Sequence, residues 1–322
     1  MKRREKMKKI LFGIMIFMVA AMTACAGNTS DVTTTEAFDS SRNITVYTRD
    51  TTSGTRDAFF SGIDFDDAVA DNSVLATSYV EVDSNGSMIT AVTNDIYGIG
   101  YISLASLLES GLTGLAFDGI EATEENVINE TYALKRPFNY IVRSDWTGMD
   151  REQQIVEAFV AYMSTTDGKA TIANESGIVS IAVTDVSWDD IKNQYPVCEQ
   201  DNSDVTIYIG GSTSVENIAR ALTQEFSTKC GNFVAEHNHT GSGDAYKRTQ
   251  GSESEGANLL HIGFASRYFK DTEPASVGTT GQICYDAVVV VVNSQNNLLT
   301  SLTGEQLKQI FDGQINKWEN LD

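Results

Sequence analysis

Residues 287–293 read Ala-Val-Val-Val-Val-Val-Asn. Five consecutive β-branched residues with no polar alternation specify a strand covered on both faces, not one lying half in water. A chain holding such a strand must supply layers on either side of it. Runs with strand character do alternate with runs of helical spacing almost to the end. Gly98–Leu104, Asn139–Ser144, Asp204–Gly210 and His261–Ser266 read as further strands, and Arg151–Ser164, Val215–Phe226 and Thr303–Gly313 as helices. This alternation predicts an α/β fold with largely parallel sheets. At 322 residues the chain is long enough for two medium domains.

Two stretches echo one another. "NITVYTRDTTSGTRDAF" from Asn43 and "DVTIYIGGSTSVENIARAL" from Asp204 both run strand, Gly/Ser/Thr turn, helix. Two such units predict two similar domains facing each other, with Tyr132–Tyr140 and the valine run as crossings. Turns of this kind carry the chemistry of anion binding. A helix start offers free backbone N–H groups and the positive end of a dipole. Ser and Thr add hydroxyl donors, and glycine permits close approach. Three segments qualify: Arg49–Arg56, Gly210–Asn217 and His239–Arg248. Ser and Thr are also the ordinary N-caps of any helix, so each turn alone is weak and the three together are the signal.

The first 25 residues differ from the rest. Lys2, Arg3, Arg4, Lys6, Lys8 and Lys9 precede a short apolar stretch, Ile10–Ala21, too short for the roughly 20 residues that span a bilayer. This is the pattern of an export signal. The "MTAC" that ends it resembles a bacterial lipoprotein box, which predicts Cys25 as the lipidated (palmitate-bearing) first residue of the mature protein. An ordinary cleaved signal with an incidental cysteine is the alternative. Residues 26–42, rich in Ser and Thr, read as a flexible tether.

Beyond residue 25 the chain carries 17 basic against 43 acidic residues, a net charge of −26. Nucleic acid and anionic membrane surfaces are poor partners for that body, and no nucleic acid is expected. A small anion is not, because short-range hydrogen bonds can hold it while salt screens distant charges over roughly 8 Å. Cys198, Cys230 and Cys284 are three and cannot all pair internally, so at most one disulfide is expected, and without C-x-x-C spacing no zinc or redox motif. No G-x-x-x-x-G-K-[ST] or G-x-S-x-G occurs. Only three histidines are present, of which His237 and His239 are two apart. Neither an enzyme nor a metal site is predicted, and no cofactor.

The segments "GSTSV", "GSG" followed by "IGFASR", "LTGEQLKQIFDGQINKW", "RDTTSGTRDAFF" and "YGIGYIS" resemble the phosphate-binding proteins of the high-affinity phosphate ABC importers. They cover nearly all of residues 43–322. Their order is shifted, with "SGTR" and "GIGY" first, which resembles the circularly permuted arrangement of some Gram-positive lipoproteins. On that arrangement the chain ends naturally at "KWENLD". The resemblance implies a two-lobed, periplasmic-binding-protein-like fold that closes over inorganic phosphate and delivers it to membrane permease subunits from the extracytoplasmic face. It implies one lobe of residues 43–132 plus 293–322 and another of 133–292. It places Thr213, Ser214, Ser242, Arg49, Ser53, Gly54 and Thr55 on the ligand, with Asp244, Arg267 and Arg56 as secondary candidates. Many relatives carry an aspartate after "AS" that accepts the phosphate proton and thereby rejects sulfate. Here the position is Arg267, which has donors only. Asp244 stands as the replacement acceptor or as a plain first-turn helix acid. Another oxyanion (sulfate, molybdate) or a phosphorylated metabolite is the alternative ligand, and a phosphoryl-group enzyme a more distant one.

Overall fold

The structure is a computed structural model, and it describes residues 38–321. The export signal, Cys25 and most of the expected tether lie outside those residues. The tether's last part is docked instead: the Phe38 ring packs 5.3 Å from Tyr97 and 5.7 Å from Trp318, centroid to centroid. Asn43 then bridges to Lys317 at the start of the first strand.

Ten strands follow: β1 (Thr45–Arg49), β2 (Val80–Val82), β3 (Gly98–Ser103), β4 (Thr113–Phe117), β5 (Lys135–Val142), β6 (Thr206–Gly211), β7 (Val234–His239), β8 (Ile262–Ala265), β9 (Thr280–Val292) and β10 (Ser301–Leu302). Eight run in the order β2-β1-β3-β9-β5-β8-β6-β7, while β4 pairs with β9 and β10. The pairing is parallel at the two ends, β2·β1·β3 and β8·β6·β7. It is antiparallel wherever β5 or β9 takes part. The expectation of largely parallel sheets therefore holds at the ends and fails in the middle. The two long returning strands force the difference.

Two large hydrophobic cores flank that middle. One gathers Ile44, Phe59, Phe60, Tyr101, Leu134, Val288, Val290, Leu307, Phe311 and Trp318 among others. The second gathers Phe138, Ile155, Phe159, Tyr162, Ile209, Leu222, Phe226 and Phe264. β9 belongs to both. Its first half pairs with β5, and its valine run pairs with β3 and β4, with Ala287–Val292 at most 1% exposed. The both-faces burial read from the sequence is met. Helices Asp150–Met163, Glu216–Lys229 and Gly304–Phe311 lie within a few residues of their expected bounds. Helix Gly304–Phe311 opens with a capping box, Thr303 and Gln306.

Candidate anion-binding site

Three strand-to-helix turns meet where the two cores approach. β1 ends at Arg49, and Ser53 caps helix Gly54–Gly62 by accepting from the backbone N–H groups of Thr55 (3.2 Å) and Arg56 (3.3 Å). β6 ends at Gly211, whose φ of +97° turns the chain toward Ser212, Thr213 and Ser214 before helix Glu216–Lys229. A Cβ there would lie 2.2 Å from the Phe264 carbonyl oxygen, so glycine is required on both counts. β7 leads through Thr240 and Gly241 into helix Ser242–Thr249. A fourth segment joins them: Ser266, at the end of β8, donates its N–H to Ser242 Oγ (2.9 Å).

The turns touch side chain to side chain. Thr55 Oγ1 lies 3.0 Å from Ser214 Oγ, and Ser242 Oγ 3.1 Å from Ser266 Oγ. Ser212 Oγ donates to Ser266 Oγ at 2.9 Å. Gly54 fits so closely against this group that a Cβ would stand 2.3 Å from Ser242 Oγ and 2.6 Å from Ser266 Oγ. All five hydroxyls are buried. The Gly243 N–H donates to the Thr52 carbonyl at 3.0 Å, which ties the first turn to the third.

Two arginines charge the cluster, and the sequence pointed to only one. Arg49 is 1% exposed, and its Nη2 donates to the Asp83 carbonyl (2.8 Å) and toward Thr213 Oγ1 (3.4 Å). Its Nε and Nη1 are buried with no partner. Tyr101 fixes the turn behind it by accepting from the Arg49 N–H at 3.0 Å. Arg136, from β5, was not singled out. Its Nη1 donates to Thr55 Oγ1 and its Nη2 to Ser214 Oγ, both at 3.0 Å, while its Nε donates to Asp286 Oδ2 at 2.9 Å. Arg136 and Asp286 face each other in the β5–β9 register, and Asp286 also accepts from Ser103 Oγ and the Ala105 N–H. Burial pushes both guanidinium pKa values down from the ordinary arginine range; Asp286 opposes this for Arg136, and Asp50 for Arg49. The sequence signal for Arg136 was a charged residue beside a proline in a strand crossing. Its counterpart was an aspartate opening the valine run.

Hydrogen-bond counting then assigns the protons. Ser214 Oγ accepts from Arg136 and from Asn85 Nδ2 (3.0 Å), which fills its two lone pairs and turns its own proton to Thr55 Oγ1. Thr55 Oγ1 thus accepts from Ser214 and Arg136, and its own O–H is left to donate outward. Buried donors without acceptors cost about 1–3 kcal/mol each, more when charged. Arg49 Nε, Arg49 Nη1 and the Thr55 hydroxyl are such donors. A compact oxyanion supplies what they lack.

Three secondary candidates do not join the cluster. Arg56 is fully buried, but Nε donates to the Ala68 and Val69 carbonyls and Nη1 to the Arg49 carbonyl. It braces the first turn from behind. Arg267 forms a fork with Glu273 (2.7 and 2.8 Å). Glu273 accordingly keeps its carboxyl below the ordinary glutamate range, although burial opposes this. Asp244 accepts the Thr240 hydroxyl at its helix start, which is the role of a first-turn acid. His237 and His239 do share one face of β7, 3.2 Å apart, and His239 Nδ1 meets the Ser212 carbonyl oxygen at 3.0 Å. Among the described residues no group of three or more His, Cys, Asp and Glu could hold a metal.

A cavity of about 440 Å³ opens beside Thr213 and Ser214 and is lined further by Ser84, Asn85, Glu109 and Glu216. Ser214 is the member of the hydroxyl cluster that lines it. Cys198 and Cys230 form a disulfide, and Cys284 is a buried thiol whose pKa burial raises well above the ordinary range.

The chain aligns end to end with known proteins. It is 25% identical over 322 residues to the phosphate-binding protein PstS 2 of Streptococcus agalactiae, covering 99% of each chain. It is 26% identical over 318 residues to PstS 2 of Streptococcus pneumoniae, covering 98% of this chain and 99% of that one. Among solved structures it is similar to the phosphate-binding protein of a phosphate ABC transporter from Streptococcus pneumoniae TIGR4. The TM-score is 0.60 at 23% identity, over 87% of this chain and all of the other. Residues 197–322 match the PBP superfamily domain. With turns, cores and crossing strands arranged as above, the chain shares the mixed α/β fold of that binding protein, and residues 197–322 form a PBP-like domain within it.

Proposed function

We propose that this protein captures inorganic phosphate between two lobes and delivers it to the permease of an ABC importer. The lobes in this reading are residues 43–132 with 293–322, and residues 133–292. The observation that carries it is Arg49: a guanidinium 1% exposed, with two nitrogens lacking acceptors and the third 3.4 Å from Thr213 Oγ1, on the turn whose Thr55 joins the hydroxyl cluster. Thr213, Ser214, Ser242, Ser53, Gly54 and Thr55 complete the ligand set, and Arg136 positions Thr55 and Ser214 while adding charge. The full-length resemblance to proteins named for phosphate binding supports the choice of anion. The anchor is Cys25, which would hold the protein on the outer face of the cell membrane. No bond is made or broken, so phosphate leaves unchanged.

Calorimetric titration of the full chain tests this. Saturable binding of one phosphate is expected, with Arg49→Ala weaker by roughly tenfold to a hundredfold. That range follows from charge-assisted bonds of about 1.5–3 kcal/mol and 1.4 kcal/mol per decade. An unchanged dissociation constant in a natively folded Arg49→Ala protein removes this turn from the site.

A further inference from the structure

β7 and the residues just after it hold two successive carbonyls at the start of the Ser212–Ser214 turn. The N–H groups of Thr240 and Gly241 both donate to the Gly211 carbonyl at 2.9 Å, and His239 Nδ1 meets the Ser212 carbonyl oxygen at 3.0 Å. A carbonyl only accepts, so His239 carries a proton on Nδ1. Burial, chiefly, lowers the pKa values of His237 and His239 from 6.5 to about 4, so both rings are uncharged at neutral pH. Arg220 on helix Glu216–Lys229 pushes both the same way, Arg248 on helix Ser242–Thr249 does so for His239, and Glu216 opposes this for His237. Glu236 and Asn238 alternate to the other face of β7, and Ile209 and Gly211, opposite the pair on β6, carry no charge.

The remaining protons are then fixed. A neutral His239 protonated on Nδ1 has a bare Nε2, which accepts from His237 Nδ1 at 3.2 Å. His237 is left with a bare Nε2, and the Thr223 hydroxyl, 3.0 Å away, donates to it. The relay runs one way, from Thr223 through His237 and His239 to Ser212, and each ring's tautomer is set by its neighbour. The peptide bond after Ser212 is trans, so the Thr213 N–H points opposite to the carbonyl that His239 holds. We propose that His237 and His239 are positioning residues of the anion site: His239 sets the plane of the Ser212–Thr213 peptide, and with it Thr213 and Ser214, while His237 fixes the tautomer in which His239 can do so. This deepens the anion-binding reading given above and rests on it. Both rings act through the main chain of Ser212.

The test joins nitrogen-15 NMR of the imidazoles with calorimetric titration of phosphate, both on the full chain at neutral pH. Wild type is expected to show His237 and His239 protonated on Nδ1 and bare on Nε2. Either ring protonated on Nε2 instead overturns the relay, and this spectrum decides even where a variant does not fold. His239→Ala is expected to bind phosphate about 2- to 10-fold more weakly, the share of one neutral hydrogen bond. His239→Asn, whose amide donates from the place of Nδ1, should recover most of that loss. His237→Ala leaves His239 in place but frees it to move its proton to Nε2, so a similar loss should accompany a change of His239 tautomer, and His237→Asn should restore both. Unchanged affinity in a natively folded His239→Ala protein overturns the proposal, as does His237→Ala with the tautomer and affinity of wild type. Wild type that binds no phosphate while showing the expected tautomers overturns the function proposed above instead, and the two failures are thereby told apart.

Discussion

Replacing Arg136 by methionine removes the one cation that faces Asp286. The aspartate is 0% exposed, so it cannot recover by hydration, and its two remaining donors are the Ser103 hydroxyl and the Ala105 N–H. Breaking a buried pair in this way costs about 3–5 kcal/mol, because a charge is left uncompensated. At roughly 2–4 °C per kcal/mol for a domain of this size, the melting temperature should fall by about 6–20 °C. Arg136→Met together with Asp286→Asn should recover most of the loss, since both charges are then gone. Phosphate affinity should stay low in both proteins, because Thr55 and Ser214 have lost the guanidinium that joins them. Thermal melts by circular dichroism, with calorimetric titration on the same samples, read the two effects separately. A single variant that melts within about 2 °C of wild type would refute the pair's role. So would a double variant no more stable than the single.

Opening the Cys198–Cys230 bridge by Cys230→Ser frees a loop of 32 residues. On the chain-entropy relation this should destabilise the protein by about 3–4 kcal/mol, seen as a lower denaturant midpoint with binding retained. The three histidines are held neutral by burial, with pKa values lowered from 6.5 to about 4. The unfolded chain takes up protons first as pH falls, so their contribution is complete above 6.5 and drains away between 6.5 and about 4. Denaturation midpoints in that window should drop, and His237→Gln with His239→Gln should flatten the slope; an unaltered slope counts against it. Cys25→Ala should release the protein from the membrane fraction or leave it unprocessed, and retention like wild type would discard the lipid anchor.

What the sequence revealed follows from locality. Each hydroxyl turn is contiguous, and so is the valine run, so residue type and spacing were enough to find them. Helix Asn85–Thr93 went unread because Gly86, Ile89, Thr90, Val92 and Thr93 all lower helix propensity, and burial of Met88 and Val92 overrides it. It matters to the site, since Asn85 reaches Ser214. Arg136 and Asp286 are 150 residues apart, and only the antiparallel register of β5 and β9 sets them opposite one another. No local pattern encodes that. Arg56 shows the reverse case. It was a secondary candidate because it follows the "SGT" motif, and the helix turns its side chain back onto three main-chain carbonyls.

A crystal structure of the protein grown with phosphate tests the central claim most directly. The account predicts one tetrahedral anion with oxygens about 2.7–3.2 Å from Arg49 Nε and Nη1 and from Thr55 Oγ1. Phosphate bound only in the outer cavity beside Ser84 and Glu109, with Arg49 still lacking acceptors, would contradict it.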